Sequence, residues 1–122
     1  MSIEPFIKCS KIKESLKFYT ETLDFKVIRA PDTDPESFMS VYAFLEREGS
    51  FVHLSEHSGD GVFGSVIYVR VENINITYNQ FIENGLKKEN KGGLTMEPVV
   101  QTWGMKEFAV TDPDGNRLTF GQ

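Results

Sequence analysis

The chain has 122 residues, of which 39% are hydrophobic and 25% charged, a composition typical of an ordinary globular domain. Its formal net charge of −5, with the basic residues scattered along the sequence, argues against a nucleic-acid partner. No apolar run approaches the roughly 20 residues that span a bilayer, and the first residues lack the pattern of a signal peptide.

The cysteine and aromatic content indicates the compartment of the protein and the kind of ligand it could bind. The single cysteine, Cys9, allows no internal disulfide and fits a reducing compartment, so we expect a cytoplasmic protein without a membrane partner. Cys9 itself is predicted to be a small buried hydrophobe. The ten Phe, four Tyr and one Trp are a surplus that can build both a core and a ligand site, and the acidic excess favours a cationic ligand.

The first half of the chain predicts a strand, a helix and three further strands. Residues 3–9 favour a strand, and Ser10 is a candidate N-cap for the helix that follows. The apolar residues of that helix recur at helical spacing and are Ile12, Leu16, Tyr19 and Leu23. Strands are then predicted over 25–29, 38–47 and 50–55, with a polar loop at 31–35 and a tight turn at Glu48-Gly49.

The second half predicts the same order. Residues 65–71 alternate as a strand, Asn73 can cap a helix, and Asn84-Gly85 can end it in a left-handed conformation. The apolar side of this helix includes Ile74, Tyr78, Phe81 and Ile82. Further strands are predicted over 96–102, 106–111 and 117–121, the last two joined by the turn Asp112-Pro113-Asp114-Gly115-Asn116.

The two halves are similar to each other. A shift of 62 residues places Ile7 on Val69, Cys9 on Val71 and Ile12 on Ile74. The sequence therefore predicts one α+β domain over 1–122, built from two βαβββ modules (1–60 and 61–122) that form a concave mixed β-sheet with helices on its outer face. Because exposed sheet edges favour association, we expect a symmetric homodimer with crevices at its interface.

Three segments resemble the vicinal oxygen chelate superfamily, which includes glyoxalase I, extradiol dioxygenases and the bleomycin resistance proteins. They are Pro5-Phe6-Ile7 with Ser15-Leu16-Lys17-Phe18-Tyr19, then Ile67-Tyr68-Val69-Arg70-Val71, and then 103–110 running into the Asp112–Asn116 turn. The segment Trp103-Gly104-x-x-Glu107-Phe108-Ala109 is similar to the bleomycin resistance proteins in particular. That resemblance implies that the first strand is exchanged between subunits at Pro5, although an edge proline in an unexchanged strand is an equal alternative.

The resemblance also assigns four positions to the divalent ion of the superfamily enzymes. They are Glu4, His53, Val66 and Thr119. Valine has no lone pair and a threonine hydroxyl is a poor ligand, so we predict no metal and no cofactor. An isolated strand histidine such as His53 is more often a packing or hydrogen-bonding residue than a metal ligand. His57, four residues on, is roughly 13 Å away along a strand and cannot share an ion with it.

For a ligand, the resemblance points to aromatic stacking within acidic surroundings. The candidate binding residues are Trp103, Phe38, Tyr42, Phe51, His53 and Tyr68, each of which could instead pack in the core, and the loop carboxylates are Asp32, Asp34, Glu36 and Asp60. The function this implies is non-catalytic sequestration of a flat, cationic antibiotic such as bleomycin. The alternatives are a metal-dependent lyase, isomerase or dioxygenase that uses Glu4 and His53, and a sensor or partner-binding subunit.

Overall fold

Each half of the chain forms a four-stranded mixed β-sheet with a helix packed on one face. The computed structural model describes residues 1–88 and 97–122. The first sheet contains β1 (Phe6–Lys8), β2 (Lys26–Arg29), β3 (Tyr42–Arg47) and β4 (Ser50–Ser55) in the order β1-β4-β3-β2. Helix α1 (Ile12–Lys17) follows β1 and continues into a wider, π-helical turn at Phe18–Thr22.

The second sheet repeats this topology. It contains β5 (Val66–Arg70), β6 (Val99–Val100), β7 (Lys106–Thr111) and β8 (Arg117–Gly121) in the order β5-β8-β7-β6, with helix α2 (Ile74–Glu83) between β5 and β6. In each sheet the first strand runs parallel to the last and the remaining neighbours are antiparallel. The predicted repeat of two βαβββ modules is confirmed. Neither helix within the described residues has the length and apolar character to cross a membrane.

Strand alternation directs one face of each sheet to the core and leaves the other open. In β3 and β4 the buried hydrophobic residues are Ala43, Leu45, Val52 and Leu54, and in β8 they are Leu118 and Phe120. These side chains pack with Ile12, Tyr19, Ile74, Tyr78 and Phe81 from the helical segments into one hydrophobic cluster that contains both halves. Since successive side chains in a strand point to opposite faces, the residues between them face outward.

The turn between β7 and β8 joins the two halves through buried polar groups. Asn116 is fully buried, and its side-chain amide makes four hydrogen bonds: Nδ2 donates to Lys8 O and Asp112 Oδ2, and Oδ1 accepts from Gly64 N and Ser65 N. The buried Tyr19 hydroxyl donates to Asp112 Oδ2 at 2.7 Å. Every donor and acceptor of the amide is therefore hydrogen-bonded, and its burial does not carry the free-energy cost of an unpaired polar group.

Several predicted boundaries are wrong, each for a local reason. Ser10 does not cap α1, because its hydroxyl donates to Asp114 Oδ1 at 2.6 Å, and the first helical N–H at Ile12 donates instead to Glu56 Oε2 at 2.8 Å. The strand predicted over 38–47 starts only at Tyr42, since Ser37 caps a short 3₁₀ turn at Phe38–Val41. The first strand is shorter than predicted, and part of the segment predicted over 96–102 lies outside the described residues, with Val99–Val100 forming the strand there.

Other local predictions are confirmed. Asn73 caps α2 by accepting from Ile76 N, and Gly85 ends that helix with a φ of +100°. Glu48 and Gly49 both have positive φ, at 51° and 82°, which is the geometry of a tight hairpin turn between β3 and β4. The polar, glycine-containing stretch with Lys87, Lys88 and Lys91 also predicts a solvated loop, and Lys91 lies outside the described residues.

We predict that Asn116→Ala lowers the free energy of unfolding by about 2–4 kcal/mol, because buried donors and acceptors on both halves lose their partners at once. Urea unfolding followed by circular dichroism measures this change. Asn79→Ala, at an exposed position of α2, is the control and is expected to stay within about 0.5 kcal/mol of the wild type. An Asn116→Ala protein as stable as this control would contradict the structural role of the turn.

Cys9 gives a second prediction. Its side chain, in the segment between β1 and α1, is buried. This desolvation, and to a smaller extent the negative charges of Glu56 and Asp114, raises the pKa of the thiol to about 12. Because only a thiolate reacts rapidly, the folded protein should be almost inert to a disulfide reagent such as DTNB at pH 8, and one thiol should appear after denaturation. Rapid stoichiometric reaction of the folded protein would show that Cys9 is accessible.

Candidate ligand-binding site

The open face of the first sheet carries a continuous aromatic surface, which we call the aromatic face. Its members alternate with the core residues of β3 and β4 or extend from β1, and they are Phe6, Tyr42, Phe44, Phe51 and His53. The strand register aligns Phe6 with His53 and His53 with Phe44, so three rings lie in one row across β1, β4 and β3.

The rings of the aromatic face are stacked against one another. Phe6 and His53 have ring centroids 4.3 Å apart and planes within 5°, and Phe44 lies 4.6 Å from His53 on the adjacent strand. Phe44 and Phe51 extend the series at 5.4 Å with an interplanar angle of 14°. Phe6 is 41% exposed and the other members are half-buried, so the row presents apolar π-surface to solvent. Such a surface suits a flat, apolar partner.

His53, at the centre of the row, has both ring nitrogens occupied. Its Nδ1 lies 2.5 Å from the Tyr42 hydroxyl and its Nε2 lies 2.9 Å from Glu4 Oε1. Hydrogen bonds from His53 and Ser2 lower the pKa of Glu4, so that side chain is a carboxylate and can only accept. In the neutral ring Nε2 therefore carries the hydrogen and Nδ1 accepts from Tyr42, and this fixes the orientation of the imidazole.

The four positions that correspond to the superfamily's metal ligands do not offer a matching donor set. Glu4 and His53 contact each other, but Val66 has no lone pair and is 59% exposed on β5, and Thr119 offers only a hydroxyl on β8. Within residues 1–88 and 97–122, no three His, Cys, Asp or Glu side chains are grouped so that they could hold an ion. The donors present do not fit a catalytic divalent site.

A second group of polar and aromatic side chains lies on the open face of the second sheet, and we call it the Glu107 cluster. Its members are Tyr68 from β5, Glu107 from β7 and Trp103 from the turn before β7. Tyr68 Oη donates to Glu107 Oε2 at 2.7 Å and Trp103 Nε1 donates to the same oxygen at 3.2 Å. Desolvation, followed by the bond to Glu107, raises the pKa of Tyr68 and keeps its proton on the phenol.

A cavity of about 290 Å³ lies between the two halves of the chain. Phe51 of the aromatic face and Tyr68 of the Glu107 cluster both line it, together with Ile3, Arg70 and Leu118. A guest of a few rings would contact both halves of the chain here, which is the geometry that a small-molecule site needs.

The sequence candidates are thus divided between different places. Tyr42, Phe51 and His53 lie together, and Tyr68 and Trp103 lie together in the second group. Phe38 is 74% exposed and stacks instead on His57, with centroids 3.9 Å apart. Three of the four loop carboxylates serve local structure: Asp32 accepts from Ser37, Asp34 accepts from Glu36 N, and Asp60 accepts from Ser55.

Sequence reasoning missed Phe6, Phe44 and Glu107. Phe44 follows Tyr42 at the two-residue spacing that places both on one face of a strand, so alternation alone could have identified it. Phe6 joins the row only through the pairing of β1 with β4, which connects residues 47 apart in sequence and is invisible to local patterns. The signal for Glu107 is a carboxylate directly before the apolar run Phe108-Ala109-Val110 of a strand, where an uncompensated charge is costly.

Comparisons with known proteins place this geometry in a family. The sequence model of the Glyoxalase/Bleomycin resistance protein/Dioxygenase superfamily matches residues 6–120, and no curated protein sequence matches the chain. The fold is similar to that of a bleomycin-binding protein complexed with bleomycin, with a TM-score of 0.78 and 21% identity over 100% of this chain and 98% of that one.

Two further solved structures have the same fold. A bleomycin resistance determinant encoded on the transposon Tn5 has a TM-score of 0.76 and 20% identity, covering 100% of this chain and 97% of that one. TnmS3, an antibiotic binding protein from Streptomyces sp. CB03234, has a TM-score of 0.73 and 16% identity, covering 100% and 98%. Sequence and structure agree over almost the whole length, and the chain therefore belongs to the glyoxalase/bleomycin resistance protein/dioxygenase superfamily.

Proposed function

We propose that this protein binds a flat, cationic small molecule, with bleomycin as the first candidate, and sequesters it without a metal ion and without turnover. The observation that carries the proposal is the row formed by Phe6, His53 and Phe44 on the open face of the first sheet. A planar guest laid on this row gains stacking and apolar burial at little entropic cost, because the rings are already held against one another.

Charge supports a cationic guest. The chain carries a net charge of −5, and Glu4, at the rim of the aromatic face, stays ionised because His53 and Ser2 donate to it. A positive group on the guest would therefore lie near a negative charge at this rim. The likeness of the fold to that of a bleomycin-binding protein, solved with bleomycin, is consistent with a guest of this kind.

We also propose that the protein acts as a homodimer whose interface completes the crevices. Exposed apolar side chains lie along edge strands, among them Val27 and Ile28 on β2 and Val66 on β5. An edge that exposes both apolar side chains and unpaired backbone groups favours association with a second copy. In the single chain β1 pairs with its own β4, and exchange of this strand between copies would preserve the same pairing.

Bleomycin binding is the direct test. We expect isothermal titration calorimetry to give saturable binding to the wild-type protein, with quenching of Trp103 fluorescence. Phe44→Ala and Phe6→Ala should each weaken binding by about tenfold, because an aromatic contact contributes roughly 0.5–1.5 kcal/mol beyond the area it buries.

The control is Phe63→Ala, the same substitution at an exposed phenylalanine outside the aromatic face. Its affinity should equal that of the wild type. Circular dichroism of each variant separates loss of binding from loss of fold. Equal affinities for all four proteins would remove the aromatic face as the binding surface, and absence of any binding by the wild type would remove bleomycin as the guest.

Metal independence is tested separately. After incubation with nickel, zinc or ferrous ions and then dialysis, the protein should retain substoichiometric metal, and EDTA should leave its affinity for metal-free bleomycin unchanged. The physical reason is that Glu4 and His53 already satisfy each other and Val66 and Thr119 supply no strong donors. Stoichiometric metal that survives dialysis and disappears in His53→Ala would instead favour the metal-dependent enzyme.

A further inference from the structure

Glu107 is a buried carboxylate without a cationic partner among the described residues. It is only 6% exposed on β7, and both of its side-chain hydrogen bonds come from neutral donors, Tyr68 and Trp103. Both end on Oε2, and Oε1 takes part in none of the hydrogen bonds within residues 1–88 and 97–122. No lysine, arginine or histidine nitrogen of that part of the chain lies within 4.0 Å of the carboxylate.

The chain makes room for this arrangement at Gly121. Tyr68 on β5 reaches Glu107 on β7 by crossing β8, the strand between them, at Gly121, which pairs with Glu107 in the strand register. A Cβ atom at position 121 would lie 1.8 Å from the Tyr68 hydroxyl oxygen, so any larger residue would displace the ring. Glycine is required at position 121 for lack of space and not for its backbone conformation, since its φ is not in the left-handed region.

Arg70, a cation beside Tyr68, is directed elsewhere. The Arg70 guanidinium lies 6.0 Å from the centre of the Tyr68 ring and donates to the sulfur of Met105. Two neutral hydrogen bonds compensate only part of the cost of burying a carboxylate, whereas a cation placed beside it would compensate much more. Trp103, 65% exposed beside the carboxylate, adds a ring face that also attracts cations.

We propose that Glu107, with Trp103 and Tyr68 beside it, is the subsite that binds the positively charged group of the ligand and so selects cationic over neutral flat molecules. This inference rests on the proposed function, since it assigns the charge-recognising residue of the same small-molecule site. The aromatic face would hold the planar part of the guest, and one residue of each region, Phe51 and Tyr68, lines the cavity between the two halves.

A matched pair of dyes tests the proposal without bleomycin. N-methylacridinium is a permanent flat cation, and acridine at pH 8 is its neutral counterpart. We expect wild-type protein to bind the cation about tenfold more tightly than the neutral dye, which is the size of effect that one charge-assisted contact gives. Part of that preference should be lost as the salt concentration rises. Glu107→Gln keeps an acceptor for Tyr68 and Trp103 but removes the charge, so most of the preference should be lost.

Two further variants complete the design. Glu83→Gln removes one negative charge at an exposed position of α2 and should leave the preference unchanged. Gly121→Ala keeps Glu107 but displaces Tyr68 and should reduce cation affinity, together with a change in the Trp103 emission spectrum. No preference in the wild type, or an equal preference in Glu107→Gln, would overturn the inference, whereas the bleomycin titration above decides the proposed function by itself.

Discussion

The structure depends most on the hydrogen bonds of the buried turn at Asp112–Asn116. Asn116 and Asp112 bind the end of β1, the residues before β5 and the hydroxyl of Tyr19, so three separate parts of the chain meet at two side chains. Asp114 adds bonds to Ser10 and Ser15 at the start of α1. Because a buried polar group is costly unless every partner is present, these contacts allow only one relative placement of the two sheets.

That placement explains why the candidate binding residues lie on the open faces while the opposite faces form the core. The same strands that bury Leu45 and Leu54 toward the helices must present Phe44 and His53 on the other side. Side chains on a hydrogen-bonded sheet keep fixed spacing, so the rings are aligned before any guest arrives. Stability of the core and preorganisation of the aromatic face therefore have one origin, the pairing of β3 with β4.

The sequence predicted what local patterns can encode. The Asn73 cap, the Glu48-Gly49 turn and the pairing of the strands that carry Tyr42 and His53 all depend on residues close together in the chain. It could not predict that Glu56 would satisfy the start of α1 or that Tyr68 would cross β8 to Glu107, because those partners are 44 and 39 residues away in sequence. Ser10 is an example. Its side chain could cap the nearby helix, but its hydroxyl donates instead to Asp114, which is 104 residues away in sequence.

The brevity of β1 has a consequence for genetics. This three-residue edge strand and the segment just before it bring Phe6 and Glu4 to the imidazole of His53. If two copies exchange that strand, each pocket draws these groups from one polypeptide and Phe44 from the other. Two defective alleles, one altered at Phe6 and one at Phe44, would then complement each other in a mixed dimer, which contains one wholly intact pocket beside one doubly damaged pocket.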